Sequence, residues 1–224
     1  MQSQHRPPHD RRLMEPLGTV AALYRYPIKA LRCEKIDSAI AEPGGFAGDR
    51  GSALFVRSLD HARTGKTYRG KEHRKLHTVA TVDAAEALAR ASGLTVEHDD
   101  EQSHYFDAEP VSIVFDAWVR ALEALVGRVV DPLRFRPNIV AAAAPAFGDP
   151  EAALIGARLA VGEAVFEVVS AITRCVTIGY DVATGDADPA LQRTIVRERN
   201  NTMGIYCRVV STGTIVAGVP ILRL

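Results

Sequence analysis

Residues 158–177 read RLAVGEAVFEVVSAITRCVT and set the expected architecture. Two short apolar runs, residues 158–161 and 164–169, are separated by a Gly-Glu dipeptide, a spacing that is typical of a β-hairpin. The second run is rich in valine, which favours extended backbone, so we expect a strand that delivers Cys175 to a loop. A cysteine thiolate can bind a soft metal or act as a nucleophile, but most free cysteines are small buried hydrophobic side chains. This stretch alone leaves both interpretations of Cys175 open.

Short apolar segments separated by turn residues recur along the chain. Further strands are predicted at residues 19–26, 35–40, 52–56, 110–115 and 139–144. Residues 204–210 and 214–216 flank Ser211-Thr212-Gly213 and are predicted to form a closing hairpin. Helices are predicted at residues 83–91, 117–126 and 190–199, each beside a glycine stop or an Asp-Pro start. The fold class is therefore α+β and dominated by β-structure, and we expect a small β-barrel.

Composition excludes several classes of function. The 224 residues include 27 Lys+Arg and 27 Asp+Glu, and a chain with zero net charge has no basic excess for nucleic acid. No apolar run approaches the roughly 20 residues needed to span a bilayer, and the N-terminus lacks the apolar core of a secretory signal. Three cysteines suit a reducing compartment better than a disulfide scaffold. We therefore expect a cytoplasmic protein without a membrane or nucleic-acid partner.

Four groups of polar residues lie at the ends of the apolar strands. They are Lys29, Arg50, the group Arg134, Arg136 and Asn138, and the pair Arg174 and Cys175. Single arginines at strand ends are usually solvated or paired with a neighbouring acid such as Asp49 or Asp131. If these four groups lie close together in the fold, they suit a phosphorylated ligand. Arginine binds phosphate through two N–H groups, and lysine adds a point charge. A polyanion beside a thiolate would indicate a metal held by an organic, phosphate-bearing cofactor.

Other polar features have competing interpretations. The basic run within residues 57–75 is either a solvated face or one wall of an anion site. His73 and His77 are four residues apart, but two basic residues between them would repel a cation and argue against a metal site. We expect Cys33 to be unreactive, as most free cysteines are, and Cys207 to belong to the core because it lies in an apolar strand.

Several short motifs together resemble a known family. They are Tyr26-Pro-Ile-Lys29, Gly48-Asp-Arg50, Asp107 with Pro110-Val-Ser112, Arg134-Phe-Arg-Pro-Asn138, Arg174-Cys175 with Thr184-Gly185, and Gly204-Ile-Tyr206. Their order and spacing resemble the MOSC family, the molybdenum cofactor sulfurase C-terminal domains. The likeness is strongest to the branch with an N-terminal β-barrel region, which includes the mitochondrial amidoxime reducing component. It covers the chain from residue 17 to the C-terminus.

The resemblance implies a domain organisation. A MOSC-type β-barrel would occupy residues 83–224, and an N-terminal β-rich region would occupy residues 17–82. The two would pack as one unit, with the cofactor in a cleft between them. Residues 1–16 are polar, have almost nothing to bury, and are expected to form a disordered tail.

The resemblance also implies a cofactor and a site. The cofactor would be molybdenum–molybdopterin, with Cys175 as the catalytic residue and metal ligand. The residues implied to bind the cofactor are Lys29, Arg50, Ser112, Arg134, Arg136, Asn138 and Arg174.

The activity implied is that of an oxidoreductase which reduces N-hydroxylated compounds such as amidoximes and hydroxylamines. The sequence has no clustered cysteines for an iron–sulfur module, so a separate protein is expected to donate the electrons. The alternative is a cofactor carrier or sulfur-transfer protein in which Cys175 carries a persulfide.

Overall fold

The computed structural model describes residues 14–59 and 61–224, and this part of the chain forms thirteen strands and three α-helices. The strands are β1 (Glu15–Arg25), β2 (Glu34–Ile36), β3 (Ser38–Glu42), β4 (Gly45–Phe46), β5 (Ala53–Val56), β6 (Val96–Asp99), β7 (Val111–Phe115), β8 (Ile139–Ala143), β9 (Arg158–Val161), β10 (Ala164–Thr173), β11 (Thr202–Ser211), β12 (Gly213–Val216) and β13 (Pro220–Arg223). The helices are α1 (Val82–Ala91), α2 (Asp116–Val126) and α3 (Pro189–Glu198). Within these described residues, no helix combines the length and the apolar character needed to cross a membrane.

Seven strands close into a barrel in the order β13-β9-β10-β11-β7-β8-β1. The closing contact is made by β1, which pairs with β8 along one edge and with β13 along the other. β2 pairs with the last three residues of β1, Leu23–Arg25, on the same edge as β13 and further along the strand. The predicted β-dominated α+β fold and the predicted hairpin of β9 and β10 are confirmed.

The strand β7 reads VSIVF, and all five of its residues are buried. It pairs in parallel with β8, and α2 provides the crossover between the two strands. A strand that is covered on both faces reads as a continuous apolar run, and α2 packs on β7 and β8. The helix ends at Gly127, which adopts the left-handed conformation that glycine tolerates at a helix C-terminus.

A second, smaller core lies beside the barrel. Its buried side chains are Leu31, Leu54, Val56, Tyr68, Leu76, Ala85, Ala89 and Leu94. Strand β5 and helix α1 contribute two each, and Val96 of β6 packs against this core. The division of the chain between residues 82 and 83 stays a prediction, and this second core contains residues from both sides of it.

The start of the chain and one predicted strand differ from expectation. β1 begins at Glu15, inside the predicted tail of residues 1–16, while residues 1–13 lie outside the described part. The strand predicted at residues 35–40 is divided into β2 and β3, which join different sheets. The first pairs with β1 of the barrel, and the second pairs with β4 and β12.

The predicted closing hairpin of residues 204–210 and 214–216 is wrong. β11 pairs with β10 and β7, whereas β12 pairs with β3. The turn between β9 and β10 explains the difference, because Glu163 N donates to Thr214 O at 3.1 Å. Thr214 N in turn donates to Glu163 Oε2, also at 3.1 Å. These two bonds hold β12 against the turn, where β3 is its partner.

Gly204 in β11 offers a test of how closely the barrel strands pack. Its φ is +83°, and a Cβ there would lie 2.8 Å from Val114 Cγ2 and 2.9 Å from Ile113 O. Gly93 has a similar φ of +72° but open space around it. We expect Gly93→Ala to lose about 1–2 kcal/mol from the left-handed backbone alone. Gly204→Ala should lose a further 1–3 kcal/mol or so from overpacking, measured by urea unfolding. Equal losses in the two variants would contradict this packing.

Candidate functional site

A cavity of about 560 Å³ opens between the barrel and the second core. Seven of the predicted site residues line it, namely Lys29, Arg50, Ser112, Arg134, Arg136, Arg174 and Cys175. The lining contains nine lysine or arginine residues against a single carboxylate, Asp107. A chain with zero net charge therefore concentrates positive charge at one place, which favours an anionic ligand.

Cys175 stands where the barrel wall ends. β10 stops at Thr173, and a 3₁₀ turn (Val176–Gly179) begins directly after the cysteine. The side chain of Cys175 is exposed, and its Sγ lies 3.0 Å from Thr177 Oγ1. The expected strand that delivers this thiol to a loop is confirmed, and the thiol is accessible to a ligand.

Arg174 lines the cavity, but its guanidinium is mainly occupied by the protein itself. Nη1 donates to Phe135 O at 2.9 Å, and Nε donates to Met203 O at 2.7 Å. Burial lowers the pKa of Arg174 to about 10, so this side chain remains charged at neutral pH. Its contacts tie the start of the cysteine loop to β11 and to the 3₁₀ turn at Pro132–Phe135. The main role of Arg174 is therefore structural, because its guanidinium is bonded to backbone carbonyl groups.

Arg134 also has a partner within the protein. Its Nη2 lies 3.0 Å from Asp181 Oδ2, in the loop that follows Cys175. The backbone of the same loop is held by His77, whose Nε2 lies 2.7 Å from Asp181 O. The imidazole of His77 is stacked on the ring of Tyr180, with 6.3 Å between the ring centroids. Two side chains from distant parts of the chain therefore brace the loop that carries the thiol.

Arg136 lines the cavity and has a guanidinium nitrogen without a hydrogen-bond partner among the described residues. Its guanidinium lies over the ring of Tyr26, 4.3 Å from the centroid, and its φ is +49°. Nη2 is shielded from solvent and has no hydrogen-bond partner among the described residues. Burial lowers the pKa of this guanidinium. A sheltered N–H without an acceptor calls for an explanation, and a bound anion would supply one.

Arg50 completes the same wall of the cavity. Its guanidinium lies 4.8 Å from the centroid of the Tyr26 ring and forms an ion pair with Asp49. Nη1 also donates to Asn138 Oδ1 at 3.3 Å. Tyr26 therefore contacts the guanidinium groups of both Arg50 and Arg136 and holds them close together. We name Tyr26, Arg50 and Arg136 the arginine wall.

Asn138 is the one predicted site residue that the cavity lining does not contain. It is fully buried, and its Oδ1 accepts hydrogen bonds from Arg50 and from Ser112 N and Oγ. Its Nδ2 donates to Tyr24 O on β1. Asn138 thus lies behind the arginine wall, where it positions Arg50 and Ser112. Direct contact between Asn138 and a cofactor stays a prediction.

Lys29 and Ser112 also line the cavity, and each has a partner within the protein. The ammonium of Lys29 is sheltered and lies 2.6 Å from Asp107 Oδ1. Ser112 Oγ lies 3.3 Å from Arg136 O, so it supports the backbone of the arginine wall. Both residues line the cavity with Arg136 and Cys175, and the structure brings these four together.

Sequence reasoning missed several residues of the site. Tyr26 and His77 have structural roles that only the tertiary contacts reveal. Arg69 and Lys71 line the cavity, which agrees with the interpretation of the basic run as one wall of an anion site. Cys33 lines the cavity too, where burial raises the pKa of its thiol, whereas Cys207 is buried in the core as expected.

Residues 100–222, which are 123 of the 224, match the MOSC domain. The chain therefore belongs to the MOSC domain family. It is 29% identical over 146 residues to a molybdenum cofactor sulfurase of Caenorhabditis elegans, covering 59% of this chain and 20% of that protein. A Caenorhabditis briggsae protein of the same name is 32% identical over 114 residues, covering 49% of this chain and 16% of that one. The chain spans a fifth or less of the length of these relatives.

A solved structure supports the fold. The YUAD protein from Bacillus subtilis matches with a TM-score of 0.58 and 18% identity, covering 94% of this chain and 98% of that one. At this identity the likeness concerns the fold alone. Both named relatives are molybdenum cofactor sulfurases.

The unpaired guanidinium of Arg136 leads to a test with a simple anion. We expect millimolar pyrophosphate to stabilise the protein by about 1 kcal/mol, which at this size is an increase in Tm of about 2–4 °C. Arg136→Gln should lose most of that increase in Tm, because the glutamine side chain carries no charge. Arg158→Gln is the matched control, since Arg158 is exposed on β9 and outside the cavity lining. An Arg136→Gln protein that responds like the control would contradict an anion site here.

The setting of His77 predicts a pH dependence of stability. Burial lowers the pKa of His77 from its usual 6.5, with Arg136 and Arg134 adding to the effect, while its bond to Asp181 O and the Asp181 charge oppose it. The unfolded chain therefore binds this proton more readily, and stability falls as the pH drops below 6.5. We expect the advantage of the wild type over His77→Gln in unfolding free energy to shrink between pH 7.5 and pH 5. His98→Gln, which removes an exposed histidine of β6, is the control in the same urea titrations. An advantage that grows on acidification would contradict the assignment.

Proposed function

We propose that this MOSC protein binds molybdenum–molybdopterin and reduces N-hydroxylated compounds such as amidoximes and hydroxylamines. The observation that carries the proposal is the shared cavity of Cys175 and Arg136. An exposed thiol offers a soft metal ligand, and a guanidinium without an acceptor offers a site for phosphate. The two features together fit a metal that is held by a phosphate-bearing organic cofactor.

The residues of the cavity have separate roles in this proposal. The arginine wall and Lys29 would hold the phosphate, with Ser112 and Asn138 keeping the wall in place. Cys175 would be the protein's ligand to the metal, and Arg174 would fix the loop that presents it. When bound, the cofactor would supply two-electron redox chemistry and an open position for an oxygen atom of the substrate. The protein binds and orients both partners.

The remaining parts of the proposal concern partners. The electrons would come from a separate donor protein, in a cytoplasmic setting. A small-molecule substrate would bind in the cavity that the exposed Cys175 lines.

The function is tested by comparing wild type, Cys175→Ala and Cys207→Ala from a molybdopterin-producing host. We expect wild type to contain molybdenum and pterin and to reduce benzamidoxime with reduced viologen as the electron donor. Cys175→Ala should lose the metal and the turnover, because it lacks the soft ligand. Cys207→Ala removes a buried core thiol and should keep both. A wild type without molybdenum or pterin would sink the proposal.

A second candidate is a cofactor carrier or sulfur-transfer protein in which Cys175 carries a persulfide. Two observations favour it, the exposure of this thiol and the name of the relatives, molybdenum cofactor sulfurase. It predicts cyanide-labile sulfur in the wild type that is lost in Cys175→Ala, with no benzamidoxime turnover in either protein. Turnover without labile sulfur would favour the reductase.

A further inference from the structure

Two arginines that line the cavity each have a shielded guanidinium nitrogen without a hydrogen-bond partner among residues 14–59 and 61–224. One is Nη2 of Arg136, in the arginine wall, and the other is Nε of Arg69. They belong to different parts of the fold, because Arg136 follows a turn of the barrel while Arg69 follows Tyr68 of the second core. The cavity therefore has two separate places where an anion would satisfy a buried donor.

The loop that carries Arg69 packs directly against the cysteine loop. A Cβ on Gly70 would lie 2.8 Å from Thr177 Cγ2, so the backbone at Gly70 lies directly against the side chain of Thr177. The hydroxyl of the same Thr177 is the group that lies 3.0 Å from Cys175 Sγ. Arg69 and Lys71 therefore flank the point at which the second core contacts the neighbour of the thiol. We name these two residues and Gly70 the basic loop.

The charges of the basic loop are free for a ligand. Lys29 is paired with Asp107, and Arg134 is paired with Asp181. In the described part of the chain, no carboxylate forms an ion pair with Arg69 or Lys71, although Glu72 accepts a hydrogen bond from Arg69 N. Glu72 is instead paired with Arg63, at 3.1 Å. The basic loop thus keeps two positive charges near Cys175 outside any ion pair of the described residues, while Asp107 in the same lining is paired with Lys29.

We propose that Arg69 and Lys71 form a second anion subsite, which binds a carboxylate or phosphate carried by the substrate itself. The proposal rests on the proposed function, because it assigns a substrate to that site. A single phosphate of the cofactor is served by the arginine wall, which leaves the basic loop for the second anion. The basic loop packs on Thr177, and Thr177 in turn contacts Cys175 Sγ. An anionic group bound by the basic loop would therefore lie close to the thiol. The substrates would therefore be N-hydroxylated compounds that also bear an anionic group.

The test compares two probes that differ by one charge, benzamidoxime and 4-carboxybenzamidoxime. Their dissociation constants are measured by calorimetry with wild type, Arg69→Gln, Lys71→Gln and Lys66→Gln. Lys66 is the matched control, because it is exposed in the same basic run and outside the cavity lining. Wild type and the control should bind the carboxylated probe at least about tenfold more tightly, the value of one charge-assisted hydrogen bond. Arg69→Gln should reduce this preference to about threefold or less, and Lys71→Gln should reduce it in part.

Molybdenum and pterin contents of the same four proteins separate this proposal from the proposed function. Equal contents together with a lost carboxylate preference in Arg69→Gln support a substrate subsite. A loss of pterin in Arg69→Gln would assign the basic loop to the cofactor and overturn the inference. So would equal affinities of the wild type for the two probes. If no protein contains the cofactor, the proposed function fails, while the preference measured on the cofactor-free proteins still decides whether the basic loop binds the carboxylate.

Discussion

The buried amide of Asn138 is the interaction on which the site depends. It receives hydrogen bonds from Arg50 and Ser112 and donates to Tyr24 O. Three separate parts of the chain therefore converge on one fully buried side chain, where a lost partner would leave a polar group unsatisfied in the core. The position of Arg50, and through Tyr26 the position of Arg136, follow from this arrangement. Asn138 therefore shapes the cavity indirectly, through the hydrogen bonds that position Arg50 and Ser112.

The cavity exists because two cores meet. The barrel supplies the arginine wall and the cysteine loop, and the second core supplies the basic loop and His77. The contacts across this junction are specific, since Gly70 packs on Thr177 and His77 is bonded to Asp181 O. Neither core alone encloses the cavity, so the stability of the junction and the shape of the site are coupled. A molecule with zero net charge can in this way place nine cationic side chains around one space.

Such a concentration of charge is unfavourable for the unliganded protein. A guanidinium that is removed from water without an acceptor loses hydration and gains no hydrogen bond in return. Arg134, Arg174 and Lys29 avoid this cost through carboxylate or carbonyl partners. Arg136 and Arg69 each keep one donor without an acceptor among the described residues, so these two donors remain for a ligand. Two anionic groups, one at each of these donors, would relieve both.

The sequence by itself determined the local elements and the order of the motifs along this chain. The hairpin of β9 and β10, the apolar strand β7 and the strand before Cys175 follow from side-chain periodicity and turn residues, which act between near neighbours. Partners far apart in the chain carry no such signal, so the pairing of β12 with β3 was missed. For the same reason, only the tertiary structure placed Asn138 behind the cavity and Arg69 beside the thiol's neighbour. Packing of the two cores, and not any local pattern, decided which cations are paired and which are free.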